Sequence, residues 1–137
     1  MDIILAPDVY VNASVALGSP PEHVVRRVLG HSEKHKTTEW VLARVEAMLH
    51  SLPAFKPDAV DAQMKVIRSL VEIVDAADAG PTEWEKALVA AAKGAGVDRV
   101  VTDHPDLADK DEAEGILFIS SDAYLVELTT PPPPPGS

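Results

Sequence analysis

At 137 residues, with hydrophobic residues making up 46%, the chain is sized for one globular domain with its own core. Its formal charge of −10 argues against avid, non-specific nucleic-acid binding, which needs Lys and Arg to displace counterions. There is no cysteine, which excludes disulfides, thiolate metal sites and Cys nucleophiles and fits a reducing cytoplasm.

Taken in chain order, residues 3–5 read as a strand. Residues 9–17 fit two patterns: Val9, Ala13, Ala16 and Leu17 suit a helix face, while Val9, Val11 and Val15 alternate as in a strand. Ser19, Pro20, Pro21 and Glu22 predict a helix start, with Ser at the cap, Pro at the first helical position and Glu completing a capping box. The apolar stripe of Val24, Val25, Val28 and Leu29 then ends at Gly30. Residues 31–37 are polar and read as a loop. A helix is predicted from about Thr38 to Leu49, with Trp40, Val41, Val45, Met48 and Leu49 inward. Pro53 and Pro57 punctuate the connection to a helix capped by Asp58, which carries Val60, Met64, Ile67 and Val71; residues 70–74 also fit a short strand.

Residues 78–81 predict a turn and Thr82–Glu85 a second capping box. The Ala-rich helix that follows buries Trp84, Ala87, Leu88 and Ala91 and ends at Gly94 and Gly96. Residues 99–102 predict a strand, 103–114 a charged loop or short helix, and 116–120 the last strand, after which Ser121 caps a helix over 122–128. Helices outnumber strands, so the predicted fold class is α/β, a three-layer sandwich on a small parallel sheet over residues 1–128, with an exposed Pro-rich tail at 129–137. The N-terminal stretch lacks a basic region, so no signal peptide is expected, and no apolar run has the length of a membrane span.

Two apolar runs, one in each half of the chain, end in clusters that hold an aspartate: Asp8 after the first and Asp103 and Asp106 after the second. Carboxyl ends of parallel strands form the crevice where ligands and metals sit, so these acids predict a shared pocket. The segment from Ala90 to Leu125, with its Ala-rich helix, strand, Thr-Asp-His-Pro-Asp-Leu and closing Ser-Ser helix start, resembles the end of a PIN domain; the opening IILAPDVYVNASVAL is similar to that family's first strand and its motif. The resemblance spans residues 3–125. It implies a compact α/β fold, homodimerisation and, in intact members, a Mg²⁺- or Mn²⁺-dependent ribonuclease of the toxin–antitoxin kind.

Matched residue by residue, Ala6 stands where the family has its first Asp, and Asp8 stands on its Asn. Arg44 stands at the expected Glu, with Glu46 two positions on. Thr102, Asp106 and Leu107 match, while His104 takes the third Asp position and Asp103 is displaced by one. Glu83 or Glu85 stands for the acid that some members carry at that helix start. Two-metal phosphodiester hydrolysis needs carboxylates held close enough to ligate hard cations and lower the pKa of a bound water. Ala removes a ligand, Arg brings a cation, and a two-residue helical shift turns a side chain by about 200°.

Two expectations follow. The first is a catalytically degenerate PIN-like domain that acts as a protein-interaction or regulatory module, with Arg44 neutralising Asp8 or Asp106, a protein partner or homodimer, and no cofactor. The second is a working Mg²⁺- or Mn²⁺-dependent ribonuclease with a rearranged site of Asp8, Asp103, Asp106 and Glu85, with His104, of which Asp8 and Asp106 are the candidate metal ligands. RNA binding without a metal would need the one basic stripe, Arg26, Arg27, His31, Lys34, His35 and Lys36. His31 and His35 have zinc-ligand spacing but are read as loop residues with no third ligand. No phosphate-binding Gly motif or nucleophile elbow is present.

Overall fold

A short strand with no polar residue, β1 (Ile3–Leu5), opens the fold in the computed structural model, which describes residues 3–76, 80, 83–108 and 112–129. All three of its side chains are buried. Pro7 then starts helix α1 (Pro7–Val15), its fixed φ suiting the first helical position. The two patterns read over residues 9–17 resolve to this helix. Val9, Tyr10, Val11 and Ala13 are all buried, so the helix is covered on several sides and a single amphipathic stripe does not mark it.

Helix α2 (Pro20–Leu29) begins where predicted, with the prolines in its first turn, but the capping box does not form. The Ser19 hydroxyl donates back to the Ala16 carbonyl, and Glu22 accepts from Arg26. The predicted loop over 31–37 contains a strand, β2 (His35–Thr37), in which His35 and Thr37 are buried. Polar residues at inward positions carry no apolar alternation, so the sequence pattern concealed it. Helix α3 (Glu39–His50) is capped by Thr38, whose hydroxyl accepts from the Val41 amide at 3.4 Å. Helix α4 (Pro57–Leu70) starts at Pro57 with Lys56, not Asp58, at the cap position. Val71 leaves it and opens strand β3 (Val71–Ile73), so the strand alternative for residues 70–74 is the one adopted.

Helix α5 (Trp84–Ala95) ends on Gly96 in the left-handed conformation at φ 72°, which glycine adopts without a Cβ penalty. Strand β4 (Arg99–Val101) follows, then a single turn of helix α6 (Pro105–Ala108). Within the predicted charged loop, strand β5 (Glu112–Ala113) forms a hairpin with β6 (Ile116–Ile119). Its two turn residues, Glu114 and Gly115, both have positive φ, as a two-residue hairpin of right-handed twist requires. Helix α7 (Ser121–Thr129) closes the described chain. Asp78, Ala79 and Pro81 of the predicted turn, Thr82 of the predicted capping box and the Pro-rich tail from 130 onward lie outside the described residues.

The architecture is α/β with a small, mostly parallel sheet, as the sequence predicts. Strands β1, β4 and β6 run parallel in the order β1-β4-β6, with β5 antiparallel at the edge. Strands β2 and β3 pair in parallel as a second sheet, and β2 lies beside β1. From β1 the chain moves out to one side through β2 and β3, then crosses to the other side through β4 and β6. That reversal makes the carboxyl end of β1 and β4 a topological switch point, the place where open α/β sheets bind ligands. Helix α5 packs against β1, β2 and β4, and helix α1 packs against α2 and α3. Ile4, Leu5, Val100 and Val101 are fully buried at the centre. Each such side chain contributes roughly 1.5–3 kcal/mol of burial free energy.

Candidate functional site

Three strand ends converge at the switch point. Past β1 the Ala6 amide continues the ladder to the Val101 carbonyl at 2.9 Å, and past β4 the Thr102 amide reaches the Ile119 carbonyl at 2.9 Å. These bonds hold Asp8 in the first turn of α1, residues 102–104 after β4, and residues 120–121 after β6 within reach of one another.

Asp8 is 8% exposed. Its Oδ1 accepts from the Thr102 hydroxyl at 2.8 Å and its Oδ2 from the Asp103 amide at 2.8 Å. The Thr102 oxygen in turn accepts from the His104 amide at 3.1 Å. Asp103 turns the other way: its Oδ1 accepts from the Ser121 amide at 2.9 Å, and its Oδ2 accepts from the Ser121 hydroxyl. All four carboxylate oxygens therefore take protein donors. The network ties the start of α1 to the ends of β4 and β6. Burial raises the Asp8 pKa above its ordinary value and outweighs the hydrogen bonds from Asp103 and Thr102; the nearby Asp103 charge pushes it the same way.

The His104, Asp106 and Glu85 side chains line a cleft of about 770 Å³ beside this network, whose walls include Glu83, Trp84, Lys86, Glu112 and Glu114. The His104 ring packs against Trp84 at 5.6 Å between centroids, and Trp84 meets Trp40 edge to face at 5.8 Å. His104 Nδ1 accepts from the Asp106 amide at 3.3 Å, which assigns that nitrogen to capping α6. Trp40 and Trp84 are partly buried against the core, as their helical positions predict. The acids predicted to share one pocket are thus divided. Asp8 and Asp103 sit in an internal network, while Asp106, Glu85 and His104 line an open cleft.

Arg44 forms no ion pair among the described residues, so the predicted neutralisation of Asp8 or Asp106 is not made; Asp8 and Asp103 instead accept from the neutral donors Thr102, the Asp103 amide and Ser121. Neither Thr102 nor Ser121 was predicted as a partner of these acids, because their contacts join residues 94 and 18 positions apart. The basic stripe is also broken: His35 is buried in β2, and Arg26 is paired with Glu22.

The divalent cation that the PIN resemblance implies does not fit this arrangement. Mg²⁺ and Mn²⁺ keep several waters and take charged, accessible oxygens. Here one acid is buried with its charged form disfavoured, the second is turned toward Ser121, and Ala6 supplies no side-chain oxygen. Among the described residues, the one set of three acid or histidine side chains close enough to share an ion is Glu46, His50 and Asp61, on α3 and α4. No helix among the described residues is long and apolar enough to cross a membrane. Compared with family models, curated proteins and solved structures, the chain matches none of them.

Proposed function

We propose that this chain is a PIN-like α/β domain, cytoplasmic, whose strand-end acids have passed from catalysis to structure, and that it works as a protein-binding or regulatory module. One observation carries the reading: both oxygens of Asp8 and both of Asp103 accept hydrogen bonds from the protein itself. A constellation of this kind braces three strand ends and turns each of these oxygens toward a protein donor. The surface supports the binding role. Helices α1, α2 and α4 enclose a groove of about 300 Å³ floored by Tyr10, Val25, Leu29 and Ile67, with Leu17 85% and Val66 55% exposed at its rim. Glu22, Arg26 and Gln63 also line it, and an exposed apolar patch with polar residues at its rim is the form of a protein-contact site. Self-association through this face accords with the pairing that the resemblance implies.

A second reading, a rearranged metal-dependent ribonuclease, is favoured by the shared cleft of Glu85, His104 and Asp106 beside Trp84. Incubation of the purified protein with structured RNA and Mn²⁺ separates the two. The structural reading expects no cleavage above a metal-free control. Cleavage that disappears in Asp106→Asn would establish the ribonuclease instead.

A further inference from the structure

We propose that Glu46, His50 and Asp61 form a surface site for a first-row divalent cation of the zinc class, bridging α3 and α4. Glu46 and His50 are four residues apart on α3 and so project from one face a turn apart. Asp61 comes from α4, which packs against α3. One ligand atom from each of the three lies within 4.8 Å of the other two, and His50 Nε2 stands 4.0 Å from Asp61 Oδ1. A tetrahedral zinc with bonds of about 2.0–2.1 Å holds its ligand atoms roughly 3.4 Å apart, so closure asks for side-chain movements of about 1 Å. His50 and Asp61, with side chains 39% and 70% exposed, have the rotamer freedom to make them.

The cluster brings two carboxylates to one imidazole, and at 4.0 Å the imidazole is too far from Asp61 for a hydrogen bond. One imidazole nitrogen with two carboxylate oxygens suits Zn²⁺, Co²⁺ or Ni²⁺; Mg²⁺ and Ca²⁺ prefer oxygen alone. Three protein ligands leave a position for water. The local field favours a cation as well. His50 is the last residue of α3, where the helix carries partial negative charge. Arg68 feels the charge of Glu46, but its guanidinium is held by both oxygens of Glu39 at 2.9 and 2.7 Å, which leaves the Glu46 carboxylate unbonded to it. None of the three ligands belongs to the network of Asp8, Thr102, Asp103 and Ser121, so the site stands or falls independently of it.

The test titrates the metal-stripped full chain with Zn²⁺ by calorimetry and with Co²⁺ by visible absorption. The expected result is saturation at one ion per chain, d–d bands on Co²⁺ binding, and no competition from millimolar Mg²⁺. His50→Ala and Asp61→Asn are each expected to weaken binding by about tenfold or more. Both positions are exposed, so circular dichroism should report an unchanged fold in the metal-free variants. Absence of saturable binding by the wild-type chain, competition by Mg²⁺, or variants that bind as the wild type does would each overturn the proposal.

Discussion

Asp8 keeps its place at a cost in charge and a gain in connection. Without its carboxylate, the Asp103 amide and the Thr102 hydroxyl both lose their acceptor in a nearly dry setting. Asp8→Ala is therefore expected to destabilise the fold by about 2–3 kcal/mol, the penalty for leaving buried donors unpaired. Asp8→Asn should cost less, about 1–2 kcal/mol, because its oxygen can still accept from the Asp103 amide while the Thr102 hydroxyl alone loses its acceptor. Urea unfolding at neutral pH measures both. Because the folded pKa of Asp8 is raised, its protonated form favours folding, and that contribution is lost as pH climbs from the ordinary carboxylate value through the raised one. His35 works in the opposite direction. Burial lowers its pKa to about 4, and its Nε2 has no partner among the described residues. The unfolded chain therefore takes up a proton below about 6.5 that the folded chain refuses, and stability falls as pH drops from about 6.5 toward 4. A shift of this size corresponds to about 3 kcal/mol. His35→Leu should flatten that part of the pH–stability curve; an unchanged slope would assign it to other groups.

At the level of elements, local signals and long-range contacts divided the work of prediction. Strands β1, β4 and β6 and helices α2, α3, α4 and α5 were legible because apolar runs, proline starts and helical stripes are local signals. Strand β2 was not, since His35 and Thr37 are buried through pairing with a strand formed 36 residues later (His35 opposite Val71). The β5–β6 hairpin was hidden by a Glu–Gly turn inside a charged stretch. Gly94 shows the same limit. It read as a helix terminator, yet it lies inside α5, where an added Cβ would come 2.3 Å from the Asp75 carbonyl oxygen. Its role is close approach between α5 and the segment after β3, information that no helix propensity contains. Gly94→Ala removes a poor helix former but must push that backbone away, so it is expected to destabilise by about 1–3 kcal/mol, in line with overpacking at a tight contact. A gain in stability in thermal melts would show that the approach is looser than 2.3 Å implies.

On the scale of the whole molecule, the switch point between β1 and β4 was predictable from two apolar runs each ending in aspartate, and the acids do gather at strand ends. Which donors they meet was not predictable, because Ser121 and Thr102 reach them only after the parallel crossovers have formed. The result is a crevice whose acids are spent on bracing the fold, beside an open cleft that holds the remaining candidates. The strong negative charge then serves solubility and repels polyanions at long range; it does not concentrate in a single metal-gripping cluster at the strand ends. The decisive measurement is a Mg²⁺ titration followed residue by residue by amide chemical shift in NMR spectra. A brace of internal hydrogen bonds predicts that the amides of Asp103 and Ser121 keep their shifts at millimolar Mg²⁺. Selective, saturable shifts at those two amides would place a divalent ion at Asp8 and Asp103 and contradict the account.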